Sequence, residues 1–293
     1  MGKTGNKMNK RASMAANLLL MLITIGMLTS FYYLRLTENR VDRPIPVKTV
    51  LYSTPENLDF DTSGPLVFVS GEYEPYIYTE NGEIKGSEYE LVKAVLDDMG
   101  VDYEIRMMSW ARGLYLMDIG DAFAAFPYYR TREREAIYLF SDSLIDTERV
   151  DYFYYYSEDD SADEVGVQLD NFGDLNQYKV GGIEGYYYIS VFDNLGIPYD
   201  LSIDEVECFQ KLKEGRIDVF PISKISAEAV INRHFEGDKS NFKRSSFSIR
   251  TDYDGEYLMV KRENSKAQAF IMAFNQSLYK IKSGEEIELD DFE

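Results

Sequence analysis

One pattern of residues occurs twice in this chain. Gly120 to Phe126-Pro127 and Gly215 to Phe220-Pro221 each run from a helix-stopping glycine through a short apolar strand to a proline. Strand-like and helix-like stretches alternate around each copy. In the first, Leu66 to Ser70 reads as a buried strand and Gly71 to Gly86 as a loop and turn. Glu88 to Met99 places Leu91, Val92, Val95 and Met99 on one helical face and stops at Gly100. Asp102 to Met108 comes next as a strand, Ser109 as the N-cap of a helix to Met117, Phe123 to Phe126 as a strand, and Thr131 as the opening of a helical turn.

The second unit repeats the order. Tyr178 to Ile183 reads as a strand, Tyr186 to Leu195 as a helix closed by Gly196, and Ser202 to Glu205 as a capping box opening a helix that stops at Gly215. Arg216 to Ile222 is then a strand and Ser226 to Phe235 a helix. Such alternation predicts parallel strands with helices packed on the sheet faces, here as two α/β units. Past them, Glu256 to Val260 reads as a strand and Ser265 to Gln268 as a capping box. The helix it opens carries Phe270, Ile271, Phe274, Leu278 and Ile281 on one face, which needs a partner, and the first unit is the natural one.

The chain's 51 acidic and 31 basic residues give a net charge of −20, which argues against nucleic acid as a partner. Its one cysteine, Cys208, rules out an internal disulfide. Its one histidine, His234, removes the common zinc motifs and the Ser-His-Asp arrangement; at a helix end it reads as structural. No metal or cofactor is expected. Near the start, Lys3, Lys7, Lys10 and Arg11 precede an apolar run with no charged side chain before Arg35. This segment, residues 1–34, reads as a signal peptide or as an N-terminal membrane anchor, and in either role it exports the two α/β units. Residues 35–61, with Pro44, Pro46 and Pro55, read as a linker.

The segment Thr131-Arg-Glu-Arg134 sets an arginine one turn into a short helix. A guanidinium is always charged and presents a planar fork of donors, which suits a small carboxylate. Arg134 also has an ordinary reading, as a surface charge paired with Glu133 or Glu135. Trp110 and Tyr73 can be cleft rings or core. Most residues of the tyrosine clusters at 128–129, 154–156 and 186–188 read as packing, because alternate strand residues face opposite sides.

Six pieces, in order, resemble family 3 of the bacterial extracellular solute-binding proteins. They are Ser70 to Tyr76, Gly86 to Leu91, Trp110 to Leu114, Thr131 to Arg134 with Phe140-Ser141, Val180 to Tyr186, and Gly215 to Asp218. The resemblance implies a type II periplasmic-binding-protein fold, two α/β lobes joined by two crossover strands and closing on a ligand like a hinge. By that mapping lobe one covers residues 62–147 plus 254–293, lobe two 148–246, and the return hinge 247–253, with the crossovers near Asp146 to Arg149 and Phe247 to Tyr253.

The resemblance also implies that Tyr73 and Trp110 sandwich the ligand, that Arg134 grips its carboxylate, and that Tyr186 and Tyr187 stand where hydroxyl groups reach that carboxylate. Phe126 and Ser223 complete the expected ligand contacts. Two positions depart from the family pattern. Phe123 replaces an aspartate, and Ser223-Lys224 stands where an acidic residue commonly receives an ammonium group, so that Lys224 would repel an amino acid. The implied function is non-enzymatic capture of a small polar, carboxylate-bearing, amino-acid-like solute in the periplasm for an ABC permease, by a monomer. A membrane-tethered sensor is the alternative. A dehydratase-like enzyme, with Glu184 as its acid, is the third reading.

Overall fold

A computed structural model of the chain describes residues 64–145, 150–159, 167–250 and 255–284. The leader, the linker and the crossover at 146–149 lie outside the described residues, as do positions 251–253 of the return hinge.

The first sheet is built on Leu66–Ser70 (β1), whose apolar run is buried on both faces as a central parallel strand requires. Tyr78–Glu80 (β2) and Glu83–Lys85 (β3) form a small hairpin above it. Its turn is Asn81-Gly82, both at positive φ, 53° and 82°, a turn that this dipeptide favours. The helix Ser87–Asp98 (α1) leads to Tyr103–Met107 (β4), the helix Trp110–Ile119 (α2) to Ala124–Tyr128 (β5), and the short helix Arg132–Ile137 (α3) to Tyr138–Phe140 (β6).

The second sheet starts with Val150–Tyr156 (β7), then Val180–Ile183 (β8), helix Tyr188–Leu195 (α4), Tyr199–Ser202 (β9), helix Glu205–Lys213 (α5), Phe220–Ser223 (β10), helix Lys224–His234 (α6) and Phe242–Arg250 (β11). The chain then returns to the first sheet as Tyr257–Lys261 (β12) and ends its described part with the helix Ala267–Ser283 (α7).

Strand order in the first sheet is β4-β1-β5-β12-β6. β1 pairs in parallel with β4 and β5, whereas β12 is antiparallel to both of its neighbours. In the second, β10-β7-β11 is antiparallel, β8-β9 is parallel, and a parallel bridge from Val180 to Val219 connects the two groups. Its order is therefore β9-β8-β10-β7-β11. The topology is the same in both: three parallel strands, then a strand delivered by a crossover, then the fourth strand of the unit. The crossovers run side by side where they leave and re-enter the first sheet, since Ile145 and Glu256 form an antiparallel bridge.

Helix α7 packs on the first lobe, as its apolar face required. Phe270 meets Phe68 at 5.9 Å and Phe123 at 4.8 Å, while Ser277 and Lys280 bind Asp98 of α1 at 2.6 and 2.7 Å. That contact accounts for the phenylalanine at position 123.

Two caps differ from the sequence reading. Asp204 caps α5 by accepting from the Glu207 N–H at 2.8 Å, and Glu207 accepts from Ile203 N–H at 2.9 Å. The capping box is displaced by two residues because Glu205 turns its carboxyl into the protein. At α7, Ser265 does not cap; the Asn264 side chain accepts from Lys266 N–H and no side chain caps the helix itself. Residues Phe247 to Arg250, expected in the return hinge, continue β11 and pair with β7. Among the described residues no helix is long and apolar enough to cross a membrane.

Candidate functional site

The ends of β1, β5 and β8 converge on a narrow cleft between the two sheets, which as closed here leaves only about 20 Å³ free to a water-sized guest. Its wall is Tyr73, Trp110, Pro127, Tyr128, Tyr129 and Arg134 from lobe one, Gly185, Tyr186 and Tyr187 from lobe two, and Glu256 from the returning chain.

Each side chain is set by its local backbone. After β1 the chain folds into a tight turn, with Tyr73 N–H donating to Ile77 O at 2.7 Å and Ile77 N–H to Tyr73 O at 3.0 Å. Gly71 lets the Trp110 indole lie over the backbone, since a Cβ there would stand 2.4 Å from the ring. Ser109 is the N-cap of α2, in extended conformation, as the sequence reading placed it, although its side chain makes no capping hydrogen bond. Thr131 does cap α3, accepting from Arg134 N–H at 3.3 Å, so that backbone donor is already used.

Arg134 donates from Nη1 to Tyr129 O at 2.7 Å and from Nη2 to Gly185 O at 2.8 Å, and its guanidinium lies 5.0 Å from the Tyr128 ring centre. It thus spans the cleft from lobe one to a carbonyl of lobe two. Its sequence neighbour Glu135 binds Arg130 instead, at 2.5 Å, and Arg134 has no carboxylate partner among the described residues. Burial pulls the guanidinium below its ordinary pKa, yet such a group stays charged at physiological pH. A buried positive charge whose hydrogen bonds go to backbone carbonyls, with no ion-pair partner, suits an anion.

A second residue of the same wall carries an unpaired donor. Trp110 is buried, and its indole N–H has no acceptor among the described residues.

The rings do not form the expected sandwich. Tyr73 and Trp110 touch edge to face, with centroids 6.1 Å apart and planes at 83°. Tyr186 completes a triangle with both. The lobe-two hydroxyls, expected on the ligand, are engaged by acids of their own lobe: Tyr187 donates to Asp151 at 2.8 Å and Tyr186 to Glu205. Tyr187 also packs on Tyr129 at 4.9 Å, and the Tyr129 and Tyr73 hydroxyls are 3.1 Å apart.

Two expected contacts are absent from the wall. Phe126 is fully buried in the core; the residues just after it, Pro127 to Tyr129, reach the cleft instead. Ser223 is buried as the N-cap of α6, accepting from Ser226 N–H at 3.1 Å. Lys224, expected to repel an ammonium group, points to solvent and pairs with Glu228 at 3.6 Å. Glu184 is exposed and does not line the cleft.

His234 belongs to a second contact between the lobes that sequence reading missed. At the end of α6 its Nε2 lies 2.9 Å from Glu74 Oε1, and Arg233 reaches Glu74 at 3.3 Å and Glu80 at 3.2 Å while covering the Tyr78 ring at 4.6 Å. Glu74, Tyr78 and Glu80 belong to lobe one, so the far end of the cleft is fastened by charge.

A family model for bacterial extracellular solute-binding proteins, family 3, matches residues 66–289. No curated protein sequence matches the chain. Among solved structures, the amino acid ABC transporter substrate-binding protein AbpA from Streptococcus pneumoniae, bound to L-arginine, is 20% identical, covers 75% of this chain and 90% of its own, and has a TM-score of 0.62. An ancestral arginine-binding protein bound to arginine is 21% identical over 75% of this chain and 93% of its own, at 0.61. A histidine kinase sensor domain with similarity to periplasmic binding proteins is 17% identical over 75% and 92%, at 0.60. At these identities the structures establish the fold, two α/β lobes of the type II periplasmic-binding-protein kind, and the match of the family model establishes the kinship: the chain belongs to the bacterial extracellular solute-binding proteins, family 3.

Proposed function

We propose that this protein is a non-enzymatic receptor that captures a small carboxylate-bearing, amino-acid-like solute between its lobes, outside the cytoplasmic membrane, and presents it to an ABC-type permease. One observation carries the ligand class: Arg134, buried in the cleft between the lobes, hydrogen-bonds two backbone carbonyls and makes no ion pair among the described residues. A ligand carboxylate would take over donors that now point at backbone carbonyls, and Trp110, on the same wall, carries a buried indole N–H with no acceptor among the described residues. Residues 62–147 with 254–293 would move as one body and 148–246 as the other, with the ion pair from Glu74 to Arg233 and the Glu74–His234 hydrogen bond favouring the closed form.

The test is calorimetric titration of small carboxylates and amino acids into the purified domain. Arg134→Ala removes a charge-assisted donor pair worth about 1.5–3 kcal/mol, so affinity should fall about tenfold to a hundredfold. Equal affinity in both proteins would show that the anion is held elsewhere.

The tethered-sensor reading has one specific support, the similarity to a histidine kinase sensor domain. Amino-terminal sequencing of the exported protein separates the two: a mature start near Phe31 leaves no tether, whereas an intact leader favours the sensor.

A further inference from the structure

The middle of the cleft is occupied by a side chain of the protein itself. Tyr186 enters from lobe two, and its ring meets Trp110 at 5.8 Å and 75° and Tyr73 at 6.5 Å and 89°. Tyr73 and Trp110 also meet each other, at 6.1 Å. A flat guest stacked between two ring faces needs about 7 Å between parallel planes, one van der Waals contact on each side. Three rings meeting edge to face at these distances leave no such slot.

The position of Tyr186 is fixed from its own lobe. Its hydroxyl donates to Glu205, a buried carboxyl in the first turn of α5, and the Tyr188 ring backs it at 5.4 Å. Burial lifts the Glu205 carboxyl to about 8 and holds the Tyr186 phenol well above its ordinary value, so neither ionises at neutral pH to loosen the pair. Tyr186 is held by its own lobe, so in the hinge motion proposed above it would leave with lobe two and return to Tyr73 and Trp110 on closure. Arg134 stands beside this cluster on the same wall of the cleft.

We propose that Tyr186, anchored by Glu205, is the size filter of the site: its ring takes the volume a long ligand side chain would fill, restricting the ligand class to short-chain carboxylates and small amino acids. Tyr186 acts by contact with the ligand, and Glu205 is a positioning residue. The inference rests on the Arg134 reading given above, and it adds the length of the ligand to its charge.

The experiment is calorimetric titration of two graded series, acetate, butyrate, hexanoate and octanoate, and glycine, alanine, norvaline and arginine, into the wild-type protein and four variants. The wild type should bind the short members of a series and reject the long ones. Tyr186→Val should move the limit upward, the first rejected member gaining about tenfold or more in affinity, the scale on which apolar pockets resolve added methylenes. Tyr186→Leu repeats the test should the valine variant not fold, judged by its thermal midpoint. Tyr186→Phe keeps the ring and loses the anchor, so it should retain the length limit with a weaker affinity.

The same length limit in wild type and in a folded Tyr186→Val or Tyr186→Leu protein overturns the size filter. So does loss of the limit in Tyr186→Phe. Arg134→Ala, the fourth variant, addresses the underlying reading separately: if it binds the short acids as tightly as wild type, the anion site is wrong whatever Tyr186 does. No binding of any member by any of the proteins overturns both.

Discussion

Replacing Gly185 with alanine should hold the two lobes apart and abolish tight ligand binding while leaving each lobe folded. Gly185 has φ of 90°, and a Cβ built on it would stand 2.9 Å from Trp110 Cβ, 3.0 Å from the backbone nitrogen of Ala111 and 3.2 Å from the Trp110 carbonyl carbon. These atoms are the first turn of α2, so they cannot yield without lifting the helix off its sheet. The overlap exists only when the lobes are closed, because Gly185 belongs to lobe two and α2 to lobe one.

The left-handed backbone adds about 1–2 kcal/mol for any residue with a Cβ, in the open and the closed form alike. Overpacking of this kind costs about 1–3 kcal/mol, and the displaced lobe also loses the bond from Arg134 to Gly185 O, a charge-assisted one of similar worth. Together they correspond to a fall in affinity of roughly a hundredfold to ten-thousandfold. Small-angle scattering should show a larger radius of gyration for Gly185→Ala than for wild type, with and without glycine or acetate. A variant as compact as wild type, binding either probe equally well, would show that the loop after β8 does not approach α2 in solution.

The parts of the fold legible in the sequence are those encoded locally. Gly120 and Gly196 end their helices at positive φ, 83° and 67°, as the periodic patterns before them required. The parallel strands follow from the alternation. The strand β7 was not legible as a sheet member, because Asp151 to Tyr156 reads as a tyrosine cluster whose partners, β10 and β11, lie far along the chain. β12 was legible as a strand, Glu256 to Val260, but its insertion between β5 and β6, in a sheet begun more than a hundred residues earlier, was not.

At the site, the family pieces brought Tyr73, Trp110, Arg134, Tyr186 and Tyr187 to one cleft. Their relations to one another were not legible. Sequence says which rings are present, but not that three of them meet edge to face, nor that two hydroxyls are taken by Asp151 and Glu205. Glu256 was read only as the start of a strand; it lines the cleft because the returning crossover passes beside Ile145, a long-range pairing that leaves no local mark. Glu205 looked like the acid of a capping box, and its burial is what displaced that box onto Asp204 and Glu207.

That buried acid gives the protein a pH-dependent stability with a definite sign. The Glu205 carboxyl rises from an ordinary 4.5 to about 8, chiefly through burial, with negative charge on Asp204 and Glu74 adding to the rise and the hydrogen bonds from Tyr186 and its own backbone N–H opposing it. Below pH 4.5 it is protonated whether the chain is folded or not. Between 4.5 and about 8 the folded state keeps a proton that the unfolded state has released, so stability falls as pH rises. Above about 8 both states are ionised, and the full cost of a buried carboxylate is present. A shift of this size corresponds to roughly 4–5 kcal/mol across the window. The lowered carboxylates, among them Asp98 and Asp238, work in the opposite direction, but their stabilisation is complete above about pH 4 and leaves the window to Glu205. Glu205→Gln removes the titration and keeps an oxygen for the Tyr186 hydroxyl. Urea unfolding of both proteins from about pH 5 to about pH 9 should show the wild type losing several kcal/mol relative to Glu205→Gln as pH rises, and parallel curves would mean that Glu205 is ionised throughout. Because the same carboxyl holds Tyr186 against Tyr73 and Trp110, ionisation would place a charge at the base of the ligand cleft, so the loss of stability and any change in the length limit should occur over the same pH interval.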